Sequence, residues 1–300
     1  MKRSFLLIIL VFQNFLIYAQ EEKFIELPDS SIHYRTFGNG SPLLILNGGP
    51  GMSSEGFVPL AEELSKKHQT IIYDQRGTGL SQLRNINNAT ITMDLMVEDI
   101  ETLRKHLKIE NWIVMGHSFG GMLAYYYTAK YPHRVRAMIQ SSSGGMDLGL
   151  LSSLNITERL SRDERDSLTF YNQKIASGDT TYQTRLKRGK FLAPAYLYNK
   201  KYIPIIAERL TQGNTQINNL VWANLRTIQF DVKNAMKSYD KPVLILHGAE
   251  DIVNRNVAMT ANKTLPNSKL VILEKSSHYG WLEQKEIYFN EIEYFLKTLE

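Results

Sequence analysis

From Leu43 to Leu299 the chain alternates short, continuous apolar runs with longer stretches of helical spacing. Leu43–Leu46, Thr70–Tyr73, Trp112–Met115, Val135–Gln140, Pro242–Leu246 and Lys269–Leu273 have strand length and little polar interruption. Between them, Phe57–Lys67, Met93–Leu107, Gly120–Lys130, Val257–Thr264 and Gln284–Leu299 carry helical periodicity, with Leu95, Ile100, Leu103 and Leu107 on one face of the second. Strands that are apolar throughout are buried on both faces. Separated by helices, they predict an α/β fold with a mostly parallel sheet covered on both sides.

Two stretches depart from this rhythm. Lys23–Gly38 reads as a hairpin with its turn at Asp29-Ser30-Ser31. From about Gly144 to Lys237 the strand pattern stops. This stretch is polar and helix-leaning, spaces Leu151, Leu154 and Leu160 helically, and is broken by Pro194 and Pro204. It is too long for a plain connection. The expected organisation is a core of residues 21–143 and 238–300, interrupted by a helical lid at 144–237.

The first twenty residues, MKRSFLLIILVFQNFLIYAQ, read as a secretory signal peptide: Lys2 and Arg3, an apolar centre at Phe5–Phe12, and Ala19 as the small residue before cleavage. Gln13 and Asn14 interrupt the apolar stretch, which stays short of the ~20 residues a membrane span needs. The expectation is a secreted or periplasmic protein with no stable membrane span after removal of the signal. Three hundred residues bury a sufficient core without disulfides, and with no cysteine the chain has neither disulfides nor thiol catalysis. The net charge of +5 falls to +3 when Lys2 and Arg3 leave with the signal. It is too mild and scattered to argue for nucleic acid.

The chemistry concentrates at three strand ends. Gly116-His117-Ser118-Phe119-Gly120 stands between a strand and a helix. Such a turn lifts Ser118 off the sheet edge, and the flanking glycines let it close. The helix that follows points N–H groups at developing negative charge. A second turn, Asn47-Gly48-Gly49-Pro50-Gly51, follows the first buried strand. An oxyanion hole needs two fixed N–H donors, assigned here to Phe119 and Gly49. Asp251 lies beyond the strand ending at Leu246, and His278 beyond the last strand, completing a Ser–Asp–His order. In this reading Ser118 attacks, His278 carries its proton and Asp251 orients His278, with neighbouring Glu250 as the competing acid. His33, His68, His106 and His133 read as surface or structural residues, and His247 as shaping the acid loop. No histidine pair has metal-ligand spacing, and no Gly-Lys-Ser/Thr follows the glycine-rich turn, so neither a metal nor a cofactor is expected.

At these residues the chain resembles the α/β-hydrolase superfamily and, within it, the proline iminopeptidase group of serine peptidases. Gly48-Gly49-Pro50-Gly51 and Asp74-Gln75-Arg76-Gly77-Thr78-Gly79-Leu80-Ser81 carry the narrower likeness, which spans roughly Leu43–Gln140 and Lys241–Leu299. The resemblance implies removal of an N-terminal residue, often proline, from short peptides through an acyl-enzyme, without cofactor. Read from the residues alone, Asp74 and Arg76 form a structural ion pair beneath the site.

The chain also departs from the group. Asn47 replaces the usual histidine, and Phe119 fills a position usually tryptophan or tyrosine. The lid glutamates that hold a substrate ammonium in that group have no matching pattern here. Glu208 is the best lid candidate, with Glu158 and Glu164 behind it, and the lid carries more Lys and Arg than Asp and Glu. Two further readings stay open: a carboxylesterase or lactonase on the same core, and a non-catalytic protein that holds a ligand in the cleft. The partner is a short peptide or other small molecule in each case, and the sequence sets no oligomeric state.

Overall fold

The computed structural model describes residues 22–151 and 156–299. The expected signal peptide lies outside them. The strands β1 (Lys23–Leu27), β2 (Ser30–Phe37), β3 (Pro42–Leu46), β4 (Gln69–Tyr73), β5 (Trp112–His117), β6 (Val135–Ser141), β7 (Val243–Gly248) and β8 (Ser268–Leu273) form one sheet. Their order is β1-β2-β4-β3-β5-β6-β7-β8. β1 pairs antiparallel with β2 and β2 with β4, and every later pairing is parallel. The hairpin turn falls at Pro28-Asp29, one residue earlier than expected, because β2 already begins at Ser30.

The helices are α1 (Val58–Leu64), α2 (Met93–His106), α3 (Phe119–Lys130), α4 (Arg162–Ala176), α5 (Tyr182–Leu192), α6 (Ile203–Arg209), α7 (Thr215–Thr227), α8 (Lys233–Met236), α9 (Arg255–Thr264), α10 (Gly280–Glu283) and α11 (Lys285–Lys297). The alternation along β3 shows how the strands use them. Leu44 and Leu46 join the layer of α2 and α3, while Leu43 and Ile45 join that of α1 and α11. Both layers are closed, which is why the parallel strands read as unbroken apolar runs.

Between β6 and β7 the described residues hold α4 to α8 and no strand. α4 starts in a capping box: Ser161 accepts from the Glu164 N–H, and Glu164 accepts from the Ser161 N–H. α5 packs closely on α6, since a Cβ at Gly189 would lie 2.5 Å from the Ala207 carbonyl oxygen. This helical insertion covers the carboxyl edge of the sheet, where β5, β7 and β8 release the chain beside the candidate site.

Candidate active site

Ser118 sits in the sharp turn from β5 into α3, at φ +55° and ψ −121°. A non-glycine residue rarely occupies this region, and the strain is held by surrounding bonds. The Ser118 N–H donates to the Ser141 carbonyl at 3.1 Å, and its own carbonyl accepts from the N–H groups of Gly121 and Gly144 at 3.0 and 2.9 Å. The glycines are required by contact: a Cβ at Gly120 would meet the Leu46 carbonyl oxygen at 2.0 Å, and one at Gly116 the Gly120 carbonyl oxygen at 2.4 Å.

His278 and Asp251, far apart in sequence, meet over β7 and β8. His278 Nδ1 and Asp251 Oδ1 are 2.8 Å apart, and the same oxygen accepts from the Val253 N–H at 2.9 Å. The Asp251 side chain is 0 % exposed. Burial pushes its carboxyl up, but the charge and hydrogen bond of His278, with His247 and Ser142, outweigh that and hold it below the usual carboxylate range. A buried carboxylate kept ionised beside an imidazole fixes which ring nitrogen carries the proton. His247 shapes the acid loop as expected, its Nε2 meeting the Val253 carbonyl oxygen at 3.0 Å.

Ser118, His278, Gly49 and Phe119 line one cavity of about 390 Å³ under the insertion. Gly49 has φ +73°, and Gly48 packs so closely on Ser118 that an added Cβ would be 2.6 Å from the serine Cβ. Asn47, where the resembling group has histidine, braces this turn: its Nδ2 donates to the carbonyls of Met52 and Ser53 at 3.1 and 3.3 Å, and its carbonyl accepts from Gln75 Nε2 at 2.8 Å. His117 lies against His278, ring centroids 4.6 Å apart, within a shell of Phe57, Tyr279 and Trp281. Burial drives its pKa well below the ordinary value, and the charges of His278 and Arg209 lower it further, so His117 is a neutral wall of the site.

Two expectations are corrected. Asp74 and Arg76 do not pair with each other. Asp74 Oδ2 binds His33 Nδ1 at 2.8 Å, and its Oδ1 accepts from the N–H and hydroxyl of Ser54 at 2.7 and 2.8 Å. Arg76 instead forks onto Asp99, with Nη2–Oδ1 at 2.5 Å and Nε–Oδ2 at 3.0 Å. Glu208, the expected lid carboxylate, does not line the cavity; its Oε2 accepts from the Tyr182 hydroxyl at 2.5 Å on the exposed side of α6. One helical position on, Arg209 turns inward. Glu158 and Glu164 are not cavity residues either, Glu164 being spent on its helix cap.

Three residues outside the expected set organise the site. Arg209, 6 % exposed, donates from Nη2 to the Gly48 carbonyl at 2.8 Å and from Nη1 to the Tyr279 hydroxyl at 3.1 Å. Arg159 clamps the acid loop, its Nη2 reaching the Glu250 carbonyl at 2.6 Å and its Nε the Ala195 carbonyl at 2.9 Å. Glu283 accepts from the N–H groups of Ser277 and Asn199 at 2.6 and 2.7 Å, tying the histidine loop to the insertion. The surplus of Lys and Arg in the lid segment was the one sequence signal that pointed toward Arg209.

With this geometry, the chain belongs to the α/β-hydrolase fold family, whose model matches residues 41–284. It is proline iminopeptidase-like within that family, and a hydrolase. It is similar to the proline iminopeptidase of Saccharolobus solfataricus, 31% identical over 277 residues that cover 88% of this chain and 87% of that protein. It is also similar to the proline iminopeptidase of Heyndrickxia coagulans, 26% identical over 298 residues, 93% of this chain and 99% of that one. Among solved structures, an esterase from Exiguobacterium antarcticum shares the fold with a TM-score of 0.72 at 18% identity, covering 92% of this chain and 100% of that one.

Proposed function

We propose that this chain is a serine hydrolase that opens an amide or ester bond through an acyl-enzyme on Ser118. The observation that carries the reading is the joint placement of a buried Asp251–His278 pair, Ser118, Gly49 and Phe119 around one cavity. Ser118 Oγ adds to the carbonyl carbon while its proton passes to His278 Nε2. The N–H groups of Gly49 and Phe119 hold the oxygen as it becomes negative. The carbon–leaving-group bond then breaks, and the leaving amine or alcohol takes the proton from His278. Water, deprotonated by His278, repeats the addition, and the acid leaves as Ser118 regains its proton.

Short peptides with an N-terminal proline or similar residue are the first substrate class, supported by the likeness to proteins named proline iminopeptidase. A second reading, acyl hydrolysis of esters, is favoured by one observation: none of the cavity's described lining residues is aspartate or glutamate. A free ammonium in a closed site needs such a partner, because an unpaired buried cation is costly. A panel of aminoacyl arylamides and matched acyl esters separates the two. Release from the arylamides supports the peptide reading, and turnover of esters alone assigns the second. Absence of fluorophosphonate labelling, or labelling that survives Ser118→Ala, would overturn the serine mechanism.

A further inference from the structure

The titratable lining of the cavity is one-sided. Arg185, Arg188 and Arg209 all border it, with no described carboxylate beside them. Arg185 and Arg188 are one turn apart on α5 and share a face. α5 packs on α6, which ends at Arg209. Tyr196 lines the same cavity, and its hydroxyl, pushed up by burial, is pulled back by the charges of both Arg209 and Arg188.

Arg185 is exposed, Arg188 half-buried and Arg209 buried, so only the first is open to full solvation. Among the described residues no Asp or Glu lies within ion-pair distance of any of the three. Arg188, half-buried, bonds through Nε only to the neutral side-chain oxygen of Asn172 at 2.7 Å. Arg209 is deeply buried, its cation over the rings of Phe57 and Tyr279, and its Nε has no hydrogen-bond partner. A buried guanidinium whose partners are all neutral is matched by an anion.

We propose that Arg185, Arg188 and Arg209 form a subsite for a carboxylate carried by the substrate, beside the bond that Ser118 attacks. The planar fork of arginine binds a carboxylate through two parallel hydrogen bonds, and a partly closed, low-dielectric cavity strengthens them. The apolar lining at Ile156, Leu192 and Trp222 suits the short carbon chain joining that carboxylate to the scissile group. The substrate is then an acyl or peptidyl compound with an anionic end, such as the C-terminus of a short peptide or the free end of a half-ester. The inference deepens the serine-hydrolase reading and holds whichever of the two bonds is cleaved.

The test uses the rate of fluorophosphonate labelling at Ser118 and its protection by two small amides of equal length. One, glutaramate, ends in a carboxylate, and its diamide is uncharged. Each protein's unprotected rate is its own reference, and ionic strength is held constant. Glutaramate is expected to protect at least about tenfold more tightly than the diamide. That preference is expected to collapse in an Arg185→Gln, Arg188→Gln double variant and to return only in part, through charge without the fork, in the Arg185→Lys, Arg188→Lys pair. Equal protection by the two amides, or a preference that survives the double glutamine variant, overturns the subsite. Protection by inorganic phosphate matching that of glutaramate overturns the carboxylate assignment. If the glutamine pair fails to fold, the wild-type comparison of the two amides still decides. Failure of Ser118 to label at all is a different result and strikes the serine mechanism itself.

Discussion

Arg209 Nη2 donates to the carbonyl oxygen of Gly48 at 2.8 Å. In a trans peptide the carbonyl and the next N–H point in opposite directions, so fixing the Gly48 oxygen also aims the Gly49 N–H. A side chain of the insertion thereby sets the direction of one proposed oxyanion donor, and its second bond, to Tyr279, braces the residue after His278. Arg209→Met is expected to lower kcat on an uncharged ester by about 10- to 100-fold, somewhat less than outright loss of such a donor. KM should change little, and a boronate transition-state analogue should lose affinity by the same factor. A raised KM with intact kcat would show that Arg209 does not position the peptide.

The buried Asp251–His278 pair predicts a sharp contrast between neighbours. Asp251→Asn keeps the shape but offers His278 Nδ1 an amide in place of a carboxylate, and kcat should fall by about 10³- to 10⁴-fold. Glu250 is exposed and its backbone, not its carboxylate, meets Arg159. Glu250→Gln should therefore stay within a few-fold of the parent. Steady-state kinetics on one ester substrate reads both, and equal losses would move the acid to position 250.

His33 gives a prediction for stability against pH. Burial pulls its imidazole down, but hydrogen bonds and charge from Asp74 and Glu22 outweigh this and raise it above its ordinary value. The stabilisation this adds is therefore full below the unfolded pKa of about 6.5 and fades as pH rises through the higher folded value. His33→Gln should cost on the order of 1–3 kcal/mol. The cost should be larger at pH 6 than at pH 9, as read by urea midpoints at both. His117 and His247, both lowered by burial, act in the opposite sense but are common to the two proteins and cancel in the difference. A larger cost at pH 9 would contradict the His33–Asp74 interaction.

How much of this was legible before folding depends on range. The unbroken run Leu43–Leu46 announces a strand because both its faces are covered, and the elbow at Ser118 is announced by glycines whose need is local. Asp251 and His278 were legible because each follows a readable strand. The Asp74–His33 and Arg76–Asp99 pairs join residues 41 and 23 positions apart, and no local pattern distinguishes them from a simpler Asp74–Arg76 pair. Glu208 and Arg209 show the limit most clearly. Adjacent on one helix, they differ in direction by about 100°, and only the packing of α6 on α5 decides which faces the cavity.

The backbone at Ser118 has a further consequence. Its positive φ is comfortable for glycine and uncomfortable for serine, at a cost of roughly 1–3 kcal/mol. Ser118→Gly should therefore melt several degrees above the parent while hydrolysing nothing, as differential scanning calorimetry and an ester assay would record. The most durable version of this molecule is one that has lost its trade, and the fold tolerates a permanent local discomfort at the atom on which its usefulness depends.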